Sequence, residues 1–140
     1  MINKCNINDI NRIIELGKLI NTNFDKLNNL EEIIKNKEII GYYIDNKLVG
    51  FIIFKTMYEI TDLLYIVVDK LYRRKSIASK LLEELIGNSE KVMLEVRCDN
   101  DNAIKLYKKY DFKIINIRKK YYDNMDAYVM ELMLWKMFIF

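Results

Sequence analysis

Three polar side chains in the second half of the chain could move protons: Glu95, Asn100 and Tyr107. A carboxylate can accept a proton, a phenol can donate one, and an amide can hold a bound group between them. Glu95 lies one residue before the end of the run Lys91 to Val96, and the stretch Asn100 to Tyr110 follows. This spacing predicts a strand and then a helix. The same residues also suit a plainer arrangement, a buried strand against an amphipathic helix. Glu95 and Arg97 share one face of a strand and can pair across a sheet, while Tyr107 and Tyr110 lie three apart on a helix and can simply pack. Histidine is absent. Proton transfer near neutral pH therefore falls to carboxylate, phenol, thiol, amine or water, and Ser-His or Cys-His catalysis is excluded.

The elements that must position these groups are legible from periodicity. Apolar residues at 7, 10, 13, 14 and 20 predict a first helix from Ile7 to Ile20, capped by Asn8 or Asp9. A shorter helix is expected at Asn28 to Lys35. Glu38 to Tyr58 turns to β-branched and aromatic runs broken by Asp45-Asn46-Lys47, which predicts a hairpin whose turn tolerates positive φ. Ile60 to Val68 has the length and branching of a central strand. A helical stripe through Leu81, Leu82, Leu85 and Ile86 then stops at Gly87. Strands at about Phe112 to Arg118 and Met125 to Trp135 complete one mixed α+β domain over 1–140, with no linker or repeat.

Arg73, Arg74 and Lys75 stand where a strand gives way to a helix. Positive charge there opposes the helix dipole unless an anion arrives to meet the free N–H groups. Small residues such as Ser76 and Ala78 would let a phosphate approach. A solvated basic turn accounts for the charge equally well.

Composition bounds the rest. The chain has 140 residues, 51% hydrophobic and 31% charged, enough for one core and too short for two ordinary domains. Its 23 basic and 20 acidic residues are too balanced to announce a nucleic-acid-binding protein. Two cysteines, Cys5 and Cys98, with no signal-peptide core, point to the reducing cytoplasm. The apolar run from Leu132 to Phe140 contains Lys136 and is under half the length of a membrane span. It is expected as a last strand with a tail packed on the body or on another subunit.

Val67-Val68-Asp69 followed by Tyr72-Arg73-Arg74-Lys75-Ser76-Ile77-Ala78-Ser79-Lys80 resembles the acetyl-CoA pyrophosphate loop of the GNAT N-acetyltransferases, Gln/Arg-x-x-Gly-x-Gly/Ala. Ser76 replaces the first glycine, bringing a Cβ that disfavours positive φ. From Ile66 to Arg118, through Leu94-Glu95-Val96-Arg97, Asn100, Ala103-Ile104, Leu106-Tyr107 and Phe112, and on to Tyr121-Tyr122, Asp126-Ala127 and Met130, the chain resembles one branch, the RimI-type enzymes that acetylate the α-amine of ribosomal proteins. Asp111 stands where that branch has glycine, at a helix C-terminus that often takes positive φ.

The resemblance implies a central, mostly antiparallel twisted sheet of six to seven strands, flanked by about four helices and splayed between strands 4 and 5. It implies acetyl-CoA as cosubstrate and no metal. Glu95 would be the general base, directly or through water, and Tyr107 the acid for the departing thiolate. Asn100 would hold the pantetheine arm. Ile66, Val67 and Val68 would bind that arm through their backbone, and Arg73, Arg74, Lys75, Ser76, Ile77, Ala78 and Ser79 would wrap the pyrophosphate. Cys98 is expected as a small residue at a strand end, because direct transfer needs no acyl-cysteine. The acceptor would lie between about Asn21 to Asn29 and Tyr121 to Asp126, with Tyr121 and Tyr122 either clamping a peptide or serving as ordinary strand aromatics. The first of these loops lacks the Pro-Trp-type pair often found in the branch. Partners are therefore acetyl-CoA and a protein N-terminus, a ribosomal protein among the candidates, with no membrane. Monomer and homodimer both stay open. Alternatives are a GNAT acting on a small amine or lysine side chain, and a non-catalytic acetyl-CoA sensor.

Overall fold

The computed structural model describes residues 1–122 and 124–134. The expected strand end at Trp135 and the apolar tail lie outside them. Among the described residues the strands are β1 (Ile2–Lys4), β2 (Ile39–Ile44), β3 (Lys47–Met57), β4 (Ile60–Val68), β5 (Lys91–Arg97), β6 (Lys113–Tyr122) and β7 (Met125–Met133). The helices are α1 (Ile10–Gly17), α2 (Phe24–Leu27), α3 (Leu30–Lys35), α4 (Ile77–Gly87) and α5 (Asp101–Lys109), with short 3-10 turns at Ile7–Asp9 and Lys70–Tyr72. The sheet order is β1-β2-β3-β4-β5-β7-β6. β1–β2, β2–β3, β5–β7 and β6–β7 are antiparallel. β4 and β5 are parallel, and their ladder joins only Ile60–Asp62 to Lys91–Met93. Pairing of these two strands thus stops a third of the way along β4, which is the expected splay.

The chain divides into two compact units: 1–55 with 65–85, and 56–64 with the chain from 86 onward. In the first, Ile13, Leu16, Phe24, Ile39, Phe51 and Ile53 are fully or almost fully buried. Each such side chain contributes roughly 1.5–3 kcal/mol of burial. Phe24 meets the Tyr65 ring edge-on at 5.1 Å. A Cβ on Gly17 would stand 2.2 Å from the Phe24 ring, so α1 ends there and not at Ile20, which is 54% exposed. The start of α1 differs as well. Asn6 caps the 3-10 turn Ile7–Asp9 that leads into it, its side chain accepting from the Asn8 N–H while the Asp9 carboxylate accepts from the Asn6 N–H in a capping box, and Asp9 holds the N-cap position of α1 without a side-chain cap bond. Asn29 caps α3 by accepting from the Glu32 N–H at 3.2 Å. The β2–β3 turn puts Asp45 and Asn46 at φ 50° and 64°, the left-handed pair of a tight hairpin.

In the second unit β5 alternates strictly. Val92, Leu94 and Val96 are buried, and Lys91, Met93, Glu95 and Arg97 half-buried. Ala127, Met130 and Leu132 of β7 are buried too, as are Tyr107 and Phe112 at the end of α5. β7 inserts between β5 and β6, which leaves β6 at the edge of the sheet.

Candidate functional site

Alternation along β5 buries Leu94 and Val96 on one face of the strand and turns Glu95, between them, to the other. Glu95 keeps about a quarter of its side chain exposed, and its Oε1 accepts from Arg118 Nε at 3.2 Å. Arg118 stands on β6 opposite Ala127 of β7, which in turn faces Arg97 of β5, so its side chain spans β7 to reach the carboxylate. Arg118 is half exposed, and such a pair is worth under about 1 kcal/mol. It orients Glu95 more than it stabilises the fold. Arg97 pairs with Asp99 through two nitrogens at 3.0 and 3.1 Å, and that pairing holds the Asp99 carboxyl below its usual range.

Asn100 is the N-cap of α5, its side-chain oxygen accepting from the Ala103 N–H at 3.2 Å. Helix geometry then carries Tyr107 inward, where it is 8% exposed. Burial pushes its phenol up to about 12. The Asp111 N–H donates to the Lys108 carbonyl and the Phe112 N–H to the Tyr107 carbonyl, with Asp111 at φ 70°. These bonds make a Schellman stop, whose usual apolar contact is supplied by the Tyr107 and Phe112 rings at 5.6 Å. The residue in glycine's place keeps glycine's conformation, and that conformation folds Phe112 back onto Tyr107.

Cys98 donates its N–H to the Asp126 carbonyl at 3.0 Å. Its thiol shares a hydrogen bond with the Tyr128 phenol, which raises the phenol above its ordinary value. Tyr121 and Tyr122 close β6, and their side chains lie outside the described set. No group of three or more His, Cys, Asp or Glu that could hold a metal occurs among the described residues.

In the first unit, Ile66, Val67 and Val68 are the last residues of β4, with Val67 buried. Arg73, Arg74, Lys75 and Ser76 are exposed, and α4 begins at buried Ile77. Arg74 and Ser76 take φ 64° and 61°. The first helical bond runs from the Lys80 N–H to the Ser76 carbonyl, so the N–H groups of Ile77, Ala78 and Ser79 precede the ladder and can meet an anion. Lys75 Nζ lies over the Tyr72 ring at 5.6 Å. Gly50 permits close approach beneath the loop, since a Cβ there would sit 3.0 Å from the Val67 carbonyl and 3.2 Å from Ile77 Cγ2.

Ser76 itself adopts the left-handed conformation, at a cost of about 1 kcal/mol or more. Glycine would remove that strain but restore roughly 0.4–1 kcal/mol of unfolded-chain freedom. Ser76→Gly is accordingly expected to change stability by less than about 1 kcal/mol in chemical denaturation. A loss of about 2 kcal/mol or more would mean that the serine side chain itself holds the loop.

An open groove of about 640 Å³ lies along the segment expected to face an acceptor, lined by Ile10, Ile14, Leu30 and the run Asp25 to Asn29. Asp25 Oδ1 is buried there without a hydrogen bond, and Lys18 Nζ stands 3.9 Å from it. Neither this groove nor the Arg118 partnership was read from the sequence. The first needs the packing of α1 against α2 and the residues that follow it, and the second needs the position of β7.

A family model described as "Acetyltransferase (GNAT) family" matches residues 12–112. An N-alpha-acetyltransferase of Saccharolobus solfataricus is 38% identical over 106 residues, covering 62% of this chain and 64% of the relative. The [Ribosomal protein bS18]-alanine N-acetyltransferase of Escherichia coli K12 is 36% identical over 88 residues, covering 59% and 60%. The chain thus spans a little under two thirds of the length of these two relatives. Among solved structures, Ard1 from Thermoplasma volcanium superposes with a TM-score of 0.85 at 27% identity, over 96% of this chain and 97% of that one.

Proposed function

Since the chain belongs to the acetyltransferase (GNAT) family, we propose that it is an acetyl-CoA-dependent N-acetyltransferase, one domain over 1–140, whose acceptor is the N-terminal α-amine of a protein. The observation that carries this reading is the loop ahead of α4. Arg74 and Ser76 both hold left-handed backbone without being glycine, and three leading N–H groups with three exposed cations follow from that shape. Such a donor set fits a pyrophosphate. The N-alpha-acetyltransferase and bS18-alanine acetyltransferase names of its relatives support the α-amine, and a ribosomal protein is the first acceptor to try.

In this reading Arg73, Arg74 and Lys75 neutralise the pyrophosphate while Ile77, Ala78 and Ser79 donate backbone hydrogen bonds to it. Ile66, Val67 and Val68 offer their backbone to the pantetheine arm. Asn100 has its oxygen committed to the cap, so its amide Nδ2 is the atom left to touch that arm. The bound cosubstrate supplies an activated acetyl thioester. Glu95, directly or through water, takes the proton that the amine sheds as its nitrogen bonds to the acetyl carbon and the carbon–sulfur bond breaks. Tyr107 donates a hydrogen bond to the departing sulfur. Tyr121 and Tyr122 are assigned to the acceptor.

Titration with acetyl-CoA, followed by a thiol-release assay over peptides and small amines, tests the proposal. Expected are binding tighter than about 1 mM and turnover on N-terminal peptides. No binding overturns the reading. Binding without turnover on any amine would make the protein a sensor, and turnover confined to small amines would reassign the acceptor.

A further inference from the structure

The cations and N–H groups of the loop do not fix its shape, because two left-handed residues so close together have to be held from outside. The hold is at Asp69. Its N–H donates to the Val49 carbonyl at 2.8 Å, and its carbonyl accepts from the Tyr72 N–H at 2.9 Å. Its Oδ1 accepts from the Leu71 N–H at 3.0 Å. Its Oδ2 accepts from Arg12 Nη2 at 2.5 Å, a contact made across 57 positions of sequence. Arg12 is itself fixed, since Nε donates to the Leu48 carbonyl at 2.9 Å and its remaining nitrogen pairs with Glu15. The side chains of Arg12 and Asp69 are only 22% and 13% exposed, so this pair is screened far less than a surface ion pair.

We propose that Arg12, on α1, is a positioning residue for the cofactor loop, locking Asp69 so that the turn Lys70–Tyr72 launches Arg73 to Ser76 in a single direction. This inference rests on the acetyltransferase reading. Arg12 lies outside the loop and acts through Asp69. Without it the Leu71 cap survives, but Asp69 can rotate, and the loop must be ordered at the moment of binding. That cost falls on cofactor affinity and not on the chemical step once cofactor is saturating.

The test is calorimetric binding of acetyl-CoA together with steady-state kinetics on Arg12→Ala, Arg12→Lys, Asp69→Asn and the Arg12→Ala/Asp69→Asn double variant. Asp69→Asn keeps an acceptor for the Leu71 N–H and removes the charge that Arg12 binds, so it remains informative if Arg12→Ala folds poorly. Both single changes to neutral groups are expected to weaken binding about tenfold with kcat altered less than about twofold. Arg12→Lys should recover part of the loss, and the double variant should be no weaker than either single one. Glu15→Gln, which loosens Arg12 but keeps its bonds to Leu48 and Asp69, should weaken binding by less than Arg12→Ala does. Wild-type affinity in Arg12→Ala and Asp69→Asn, or kcat and affinity falling together, overturns the inference. Failure of the unmodified protein to bind acetyl-CoA would instead overturn the acetyltransferase reading, and this inference with it.

Discussion

Glu95→Gln is expected to lower kcat/KM for a peptide acceptor by about a hundredfold at pH 7, the lower range for a general base. The modest size follows from the acceptor. A peptide α-amine has a pKa of about 8, so roughly a tenth is already neutral at pH 7 and roughly nine tenths at pH 9. A variant without the base can use only the neutral fraction, and its deficit should therefore shrink by about tenfold between those two pH values. Folding should not confuse the result. Glutamine is isosteric, and the partly exposed Glu95–Arg118 pair contributes under about 1 kcal/mol. A pH–rate series on purified Glu95→Gln decides the matter: wild-type kcat/KM at pH 7 would remove Glu95 from the mechanism.

Tyr107→Phe is expected to lower kcat by about tenfold to a hundredfold with little change in KM. The phenol sits at about 12, whereas a thiolate leaving group has a pKa of roughly 8.5. Full proton transfer between them is uphill by about 3.5 units, or about 5 kcal/mol. In the proposed mechanism Tyr107 is therefore expected to act by hydrogen bonding to developing charge and not by full proton transfer. The wild-type rate should show no alkaline limb from this phenol below about pH 11, and Tyr107→Phe should leave the shape of the profile unchanged. The sign for stability is also fixed. Because the folded phenol is raised above its unfolded value of about 10, its contribution is whole below pH 10 and is lost as pH rises towards 12. Phenylalanine preserves the packing on Phe112 and abolishes that alkaline loss. An alkaline limb near pH 9 that disappears in Tyr107→Phe would contradict the burial assigned to this ring.

Local features of the fold were legible wherever local physics decides them. β4 runs from Ile60 to Val68 as its β-branching indicated, the Asp45-Asn46 turn is left-handed, and Asp111 takes positive φ after α5. Other features depend on partners distant in the chain. β1 has three residues, too few to show a period, and α2 is a single turn. The 3-10 turn ahead of α1 is capped by Asn6 because that side chain reaches the correct N–H group, a choice that three nearby Asx residues leave open in the sequence. The site divides in the same way. Glu95, Asn100, Tyr107 and the basic loop stand out by residue type. The groups that hold them, Arg118 across β7 and Arg12 against Asp69, appear only when strand order and helix packing are known.

The stop at the end of α5 has a further consequence. Asp111 is exposed and has no part in the assigned chemistry, yet its backbone angle sets where the Phe112 ring presses on Tyr107. Glycine, asparagine and aspartate can all hold that angle at low cost, whereas a β-branched residue cannot. Sequence drift at this surface position is thus transmitted to the electrostatics of a buried phenol. A β-branched residue at position 111 is therefore expected to shift Phe112 off Tyr107 and to change the phenol's surroundings from outside the proposed site.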